Sequence, residues 1–355
     1  MEILDFFYQN LPLNEHYVPR KCSLDDHPRI NLFGARGVGK SALALDYLAS
    51  LNKKNILYID LDDPNILFAP IYNMQSFISK QDIETLVLDH YNDKNISLPK
   101  VKQLIIISRE PIENIDFTQV QLSPLDFEEF LAFENSTHSS AGFSHYLKIG
   151  SLPRFARSHK AAPLETKEFL NSRFSPEEIR LLWLLSIFAT KQISINHIYT
   201  RCKEYFKISK DWLYKTIDRL HAEGVIHLVE DYQPSASKKL IFYDNAVTKY
   251  LNRNLTFIML FEQAVVLELL KKDEEICSFY SLGYLYTDGV LTILAPFDSE
   301  EAVWAKCQKN ISKIKQAEIQ DAKIITIANS YEYIIDGIRF EAMPFYEWAL
   351  IDFEV

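Results

Sequence analysis

The sequence predicts an α/β chain that begins with a parallel sheet covered by helices. Three observations predict it. Four short apolar runs, INLF, NILYID, TLVLD and LIIIS, have strand length and are apolar almost throughout, as strands buried on both faces are. The Ala- and Leu-rich segment SALALDYLASL, with apolar residues at helical spacing, lies between the first two and supplies the crossover that parallel strands require. Between the first strand and that helix stands FGARGVGKSAL, which matches G-x-x-x-x-G-K-[ST] from Gly34 to Ser41 in full.

That loop is a phosphate cradle. Backbone N–H groups can wrap phosphate oxygens only where side chains do not intrude, hence Gly34, Gly37 and Gly39. The chain has 9 glycines, and three fall in this loop, so a chance glycine-rich turn is a poor account of it. The expected nucleotide-binding set is Gly34, Ala35, Arg36, Gly37, Val38, Gly39, Lys40, Ser41 and Ala42. Lys40 is expected to reach the β- and γ-phosphates and Ser41 to ligand Mg²⁺ through its hydroxyl. The N-terminus of the following helix adds its partial positive charge. Arg36 reads as a solvated or phosphate-adjacent cation. The guanine-selecting NKxD signature is absent, NDKN at Asn92 to Asn95 having the wrong order, so ATP is the expected nucleotide.

The strand TLVLD ends in Asp89, where a carboxylate can hold a magnesium-bound water. The next residue is His90, where ATPases of this class usually carry a glutamate that polarises the attacking water. General-base help is worth roughly 10²–10⁴ in rate, so this one position weighs heavily on turnover. His90 is a candidate base, with a surface histidine without chemistry as the alternative. Asp60, Asp62 and Asp63 cluster at the end of the second strand, where one could approach the γ-phosphate. For Asp60 a strand-end Asx turn is the favoured reading. The fourth strand ends in Ser108 and Arg109, candidates for sensing the γ-phosphate and for stabilising charge; a salt bridge to Glu110 or Asp116 is the commoner fate of such an arginine.

Composition bounds the rest. The chain has 355 residues, an apolar share of 48% and a formal net charge of −10. Two or three domains are expected from the length. The acidic balance disfavours non-specific nucleic-acid binding, though a local basic face remains open. Four cysteines lie far apart with no CxxC pair, which argues against a zinc knuckle or redox motif and fits a reduced, cytoplasmic setting. MEILDFFYQN lacks a basic n-region, and no apolar run is long enough to span a bilayer.

The expected divisions are 1–157, 158–253 and 254–355. In the second, SPEEIRLLWLLSIFA starts with Ser175 as N-cap and Pro176 at the first helical position. Two more helices follow, and then VIHLVED and KKLIFYD flank the turn QPSAS. Three helices and a two-strand wing are the order of a winged helix. The third division mixes helices, FIMLFEQAVVLELLKK and SEEAVWAKCQKNISKIKQAE, with strands, and Asp288-Gly289 is its expected hairpin turn.

The succession LFGARGVGKSAL, YIDLDDP, LVLDHYND, LIIISRE, LSPLDFEEFLAFE and YLKIGSLPRFA resembles a family of AAA-type P-loop ATPases. These are prokaryotic ATP-binding proteins with a winged helix and a C-terminal restriction-endonuclease-like domain. Leu125, Phe127, Glu129 and Phe130 carry the distinctive segment after the sensor strand. Gly150 and Pro153 keep the family's Gly-Gly-x-Pro turn, with Ser151 in the second glycine's place. The resemblance implies ATP at Gly34 to Ser41 and magnesium at Ser41 and Asp89. FEQAVVLEL (Phe261, Glu262, Val265, Glu268, Leu269) matches the start of the family's C-terminal domain. Asp288 is placed to be a nuclease aspartate, but Pro296 and Phe297 stand where E-x-K should be. A nuclease-like fold without nuclease chemistry is therefore expected, with Glu262 and Glu268 as packing or salt-bridge residues.

Lys40, Asp89, His90 and Ser108 are thus the candidate catalytic residues. Three functions stay open: a nucleotide-controlled switch with slow or no hydrolysis, an active ATPase that remodels a protein or nucleic acid, and a DNA-acting nuclease-associated ATPase, the least supported. A small-molecule kinase would need a lid and an acceptor pocket that no segment offers. The partner protein is not legible, a homo-oligomer is possible in this class, and Arg109, Arg154 and Arg157 are candidate arginine fingers.

Overall fold

The computed structural model describes residues 3–12, 17–68, 71–92, 96–114, 116–135, 139–272, 275–287 and 289–351. Asp288 and residues 93–95 of the NDKN stretch lie outside the described residues. By packing, the chain divides into two units. The first comprises Met1–Ser123 with the short return Ala222–Val225, and the second comprises Pro124–His221 and Ile226–Val355.

The first unit runs α1 (Ile3–Gln9), β1 (Arg29–Phe33), α2 (Lys40–Ala49), β2 (Ile56–Asp60), α3 (Asn65–Phe68), α4 (Met74–Lys80), β3 (Thr85–Asp89), β4 (Gln103–Ile107) and β5 (Thr118–Gln121). Its five strands lie in the order β2-β3-β4-β1-β5, every neighbouring pair parallel. The apolar runs read from the sequence are β1 to β4. β5, TQVQ, is polar and mostly exposed, as suits an edge strand that must not recruit another chain. Alternate residues along the strands, among them Leu57, Ile59, Leu86, Leu88, Leu104 and Ile106, share one apolar cluster with Leu4 and Phe7 of α1 and Met74, Phe77 and Ile78 of α4. Period-two alternation sends these side chains to one face. Because all five strands are parallel, the phosphate loop, Asp60, Asp89 and Ser108 all follow carboxyl ends on the same edge of the sheet, where ligands of open α/β sheets bind.

The second unit begins with α5 (Phe127–Glu134), α6 (Ser139–Ile149), α7 (Pro153–Ser158), α8 (Pro163–Arg173) and α9 (Pro176–Ser186). There follow β6 (Gln192–Ile193), α10 (Ile195–Tyr205), α11 (Lys210–Ala222), β7 (Ile226–Asp231), β8 (Lys238–Phe242) and α12 (Asn245–Leu251). The chain continues through α13 (Phe257–Lys272), β9 (Ile276–Phe279), β10 (Gly283–Tyr286), β11 (Leu291–Leu294), α14 (Glu300–Gln316), β12 (Asp321–Thr326), β13 (Tyr331–Ile335), β14 (Ile338–Pro344) and α15 (Phe345–Trp348).

Local chemistry sets these boundaries. Ser175 and Glu178 form a capping box at α9, with Pro176 at the first helical position. The segment LSPLDFEEFL owes its character to the same device: Asp126 caps α5 and Glu129 returns the bond. Behind that cap Leu125, Phe127 and Phe130 are fully buried. The turn at Gly150 is wrapped around a carboxylate. Asp244 Oδ2 accepts from the N–H of Ser151 at 2.6 Å and of Leu152 at 3.2 Å, while its Oδ1 caps α12 through Val247 N–H at 2.8 Å. A Cβ on Gly150 would sit 2.2 Å from Asp244 Oδ2, so only glycine fits there.

The strands of this unit form one nine-stranded sheet, β13-β14-β12-β11-β10-β9-β7-β8-β6. The hairpin β7–β8 is antiparallel. It joins the later strands through a short parallel pairing of β7 with β9, Glu230 opposite Cys277 and Asp231 opposite Ser278. ICSFYSLGYLY, read as a strand-forming run, is two antiparallel strands, β9 and β10, turning at Tyr280 to Leu282. β13, YEYII, pairs antiparallel with β14 and has no counterpart in the sequence reading. Among the described residues, no helix is long and apolar enough to cross a membrane.

Candidate nucleotide site

The phosphate loop is built by close approach. Gly34 has φ +140°, and a Cβ there would lie 2.2 Å from the Leu122 carbonyl oxygen. β5 follows β1 so tightly that Leu122 N–H bonds to Phe33 O at 2.8 Å. Gly37 and Gly39 have φ of 88° and 101°, the left-handed turns that let successive N–H groups point into one hollow. Lys40 opens α2, and its ammonium donates to Gly34 O at 2.7 Å and Ala35 O at 2.9 Å. Ala35 and Val38 are buried under the loop.

Two arginines brace this loop. Arg20 donates to Val38 O at 2.8 Å and to Ser123 O at 2.9 Å. Arg36, expected to be solvated, is 4% exposed and makes a two-pronged pair with Glu223, Nε to Oε2 at 2.9 Å and NH2 to Oε1 at 3.0 Å. A fork-to-carboxylate pair of this kind is geometrically specific and needs both partners. The pairing lies inside the first unit, since Glu223 belongs to its Ala222–Val225 return. No spacing rule connects residues 36 and 223, and only the fold brings them together.

Asp89 ends β3 fully inside the protein, 2% exposed. Both of its oxygens are committed. Oδ1 accepts from His90 N–H at 2.7 Å, and Oδ2 accepts from the Tyr58 hydroxyl. Tyr58 thus ties β2 to the carboxylate that ends β3. Burial first, and then the Asp89 charge, push the Tyr58 pKa upward, so the phenol keeps its proton. The expected donors Ser41 and Asp89 both offer oxygen, the hard chemistry that magnesium takes, and the positive-φ loop beside them supplies the N–H cradle that a triphosphate takes. Residues and ligand therefore fit.

His90 has φ 56°. A non-glycine residue in the left-handed region costs on the order of 1–3 kcal/mol and clusters at functional sites. The turn swings the imidazole back to β2, where Nδ1 lies 2.7 Å from Asp60 Oδ1 and 3.8 Å from Asp89 Oδ1. The hydrogen bond that His90 makes to Asp60 is the largest influence and raises the His90 pKa against burial, with the nearby carboxylates adding to it. Asp60 makes the expected Asx turn as well, accepting from Asp62 N–H at 3.0 Å. Asp62 is exposed and Asp63 starts α3 by accepting from Asn65 N–H at 2.8 Å.

Ser108 donates to Glu110 O at 2.6 Å and accepts from Asn31 Nδ2 at 2.8 Å. Asn31, buried within β1, also takes Ile112 N–H at 2.9 Å and ties β1, β4 and the following loop together. Arg109 enters the loop through its backbone, accepting from Gly34 N–H at 3.3 Å. Arg154 and Arg157 are exposed residues of α7 in the other unit. Asn31, Tyr58, Arg20 and Glu223 were missed from sequence. A polar group inside an apolar strand was the available signal for the first two.

The sheet order adds to the loop. β4 separates the loop strand β1 from the Asp89 strand β3. Residues 26–115 match the family model described as an AAA domain. That segment spans β1 to β4 and holds the loop, Asp60, Asp89 and Ser108. The AAA match, the parallel sheet and the loop agree on an ATP-binding, AAA-type P-loop domain. Among solved structures, a Walker-type ATPase of Pyrococcus abyssi is 16% identical, covers 64% of this chain and 92% of its own, with a TM-score of 0.38. A chain of the Drosophila ORC structure bound to AT-rich DNA is 13% identical over 62% of this chain and 84% of its own, with a TM-score of 0.18. No curated protein matches the chain.

In the second unit Glu262 pairs with Lys239 at 2.6 Å and accepts from Tyr284 OH at 2.7 Å. Glu268 accepts from Phe127 N–H at 2.8 Å and Tyr146 OH at 3.2 Å. Both carboxylates are thus used in packing and pairing, as expected of them.

Proposed function

We propose that the chain binds Mg-ATP at residues 34–42 and acts as a nucleotide-controlled switch with slow turnover, working on a partner protein. The observation that carries this reading is the residue after Asp89: His90, held by Asp60 where related ATPases carry glutamate. Lys40 would contact the β- and γ-phosphates, Ser41 and Asp89 would hold the metal, and Ser108 would sense the γ-phosphate. When bound, magnesium would neutralise phosphate charge. The chain's own task is to hold water and charge in place beside it.

A carboxylate only accepts, so His90 Nδ1 carries the proton toward Asp60 and Nε2 is the nitrogen that can take a proton from water. The same pair therefore favours, as a second reading, an active ATPase that uses a histidine–aspartate pair. Around this domain we place a winged helix at 158–253 and a nuclease-like domain at 254–355. Support comes from α9 to α11 followed by the β7–β8 wing, and from the order α13, three strands, α14, β12. A cytoplasmic setting accords with four free cysteines.

Calorimetry and phosphate release test this. Lys40→Ala should abolish ATP binding; full affinity in that variant sinks the site. If the missing carboxylate limits turnover, His90→Glu should raise phosphate release by about 10²–10⁴, the usual worth of a general base. If His90 is itself the base, both His90→Gln and Asp60→Asn should lower it instead.

A further inference from the structure

We propose that Tyr58 is a positioning residue of the magnesium site, its hydroxyl holding the Asp89 carboxylate. The inference rests on the Mg-ATP reading above and adds a residue that no motif contains.

Three observations carry it. Tyr58 lies in the strand ILYID, whose other members before the terminal aspartate are aliphatic. It is 5% exposed, so its hydroxyl needs partners inside the protein. Its partner is the carboxylate that β3 offers to a cation: the hydroxyl donates to Asp89 Oδ2. With Oδ1 taken by His90 N–H at 2.7 Å, the Tyr58 bond fixes the second oxygen, and the carboxylate cannot rotate. Ligand orientation by an outer partner is how metal sites are tuned.

A purely structural tyrosine would stabilise β2 against β3 and leave metal affinity alone. The two roles separate when nucleotide affinity is measured with magnesium and with EDTA. Tyr58→Phe keeps the ring and removes only the hydroxyl. The expected result is unchanged affinity in EDTA and a loss of about 10- to 100-fold in magnesium affinity of the nucleotide-loaded protein, the usual cost of an outer-partner change. Equal magnesium affinity in the variant and the wild type overturns the proposal. Failure of the Mg-ATP reading looks different, because then wild type binds nucleotide in neither condition. Should Tyr58→Phe not fold, 3-fluorotyrosine placed at position 58 alone gives a second measurement. Its ¹⁹F resonance should move when magnesium is added to the nucleotide-loaded protein, and a resonance that stays put overturns the link.

Discussion

At the scale of single residues, the chain spends buried charge at two points of control. Arg36 and Glu223 have side-chain exposures of 4% and 1%. Removing one partner of such a pair strands the other, at about 3–5 kcal/mol. Arg36→Ala and Glu223→Ala should each lower the unfolding free energy from urea titration by about that much. The double variant should lose less than the sum of the two, and additive losses would refute the pairing. Asp244 is the second point. It accepts from Ser151, Leu152 and Val247 N–H groups, and burial raises its pKa above the usual carboxylate range while those bonds pull it back. Asp244→Ala leaves buried donors unsatisfied, at about 1–3 kcal/mol for each group. A thermal melt should show a clear fall in Tm, and Asp244→Asn should recover part of it.

At the scale of elements, the phosphate loop and the α5 cap show how backbone demands fix residue choice. Gly34 must be glycine, because β5 runs so close that a Cβ would meet Leu122 O at 2.2 Å. Gly34→Ala should therefore displace the loop and lose nucleotide affinity by calorimetry, even where the fold survives. At α5 the partner is Glu268 of α13, whose carboxyl burial pushes up to about 7. The ordinary value is 4.5. A raised carboxyl favours the folded state while protonated, so its contribution is fully present below about pH 4.5 and is lost as pH rises through about 7. At about 1.4 kcal/mol per pKa unit, the change is a few kcal/mol at most. Unfolding in urea at pH 5 and pH 8 should show this fall in the wild type. Glu268→Gln should flatten it, since the amide still accepts from Phe127 N–H but does not ionise.

At the scale of the molecule, each unit is organised around one sheet. In the second, β7 of the hairpin pairs with β9 of the later strands, so 158–253 and 254–355 share hydrogen bonds rather than a linker. A chain ended after α12 would leave the β7 edge unpaired, and an unpaired edge recruits other chains. Such a truncation should aggregate on size exclusion, while the full chain should elute as a single species. A monodisperse truncation would mean that the β7–β9 pairing is dispensable. In the first unit the parallel order puts every loop that matters on one edge of the sheet, and the site follows from topology rather than from any single motif.

The four apolar strands, the crossover helix, the phosphate loop, Asp89 and the Ser175 cap were all legible in the amino-acid order, because each is set by local periodicity or by a spacing within one loop. β5 was not, since TQVQ carries a single apolar residue and gains its strand conformation from neighbours already in place; β13 was not read either, although four of the five residues of YEYII are aromatic or β-branched. The conclusion that a histidine stands where glutamate is usual could be read directly. What that histidine is held by could not. Asp60 and His90 are 30 positions apart. Arg36 and Glu223 are 187 apart, and Tyr58 and Asp89 are 31 apart. Contacts between residues distant in sequence are chosen by sheet order and register, and those come from tertiary packing alone.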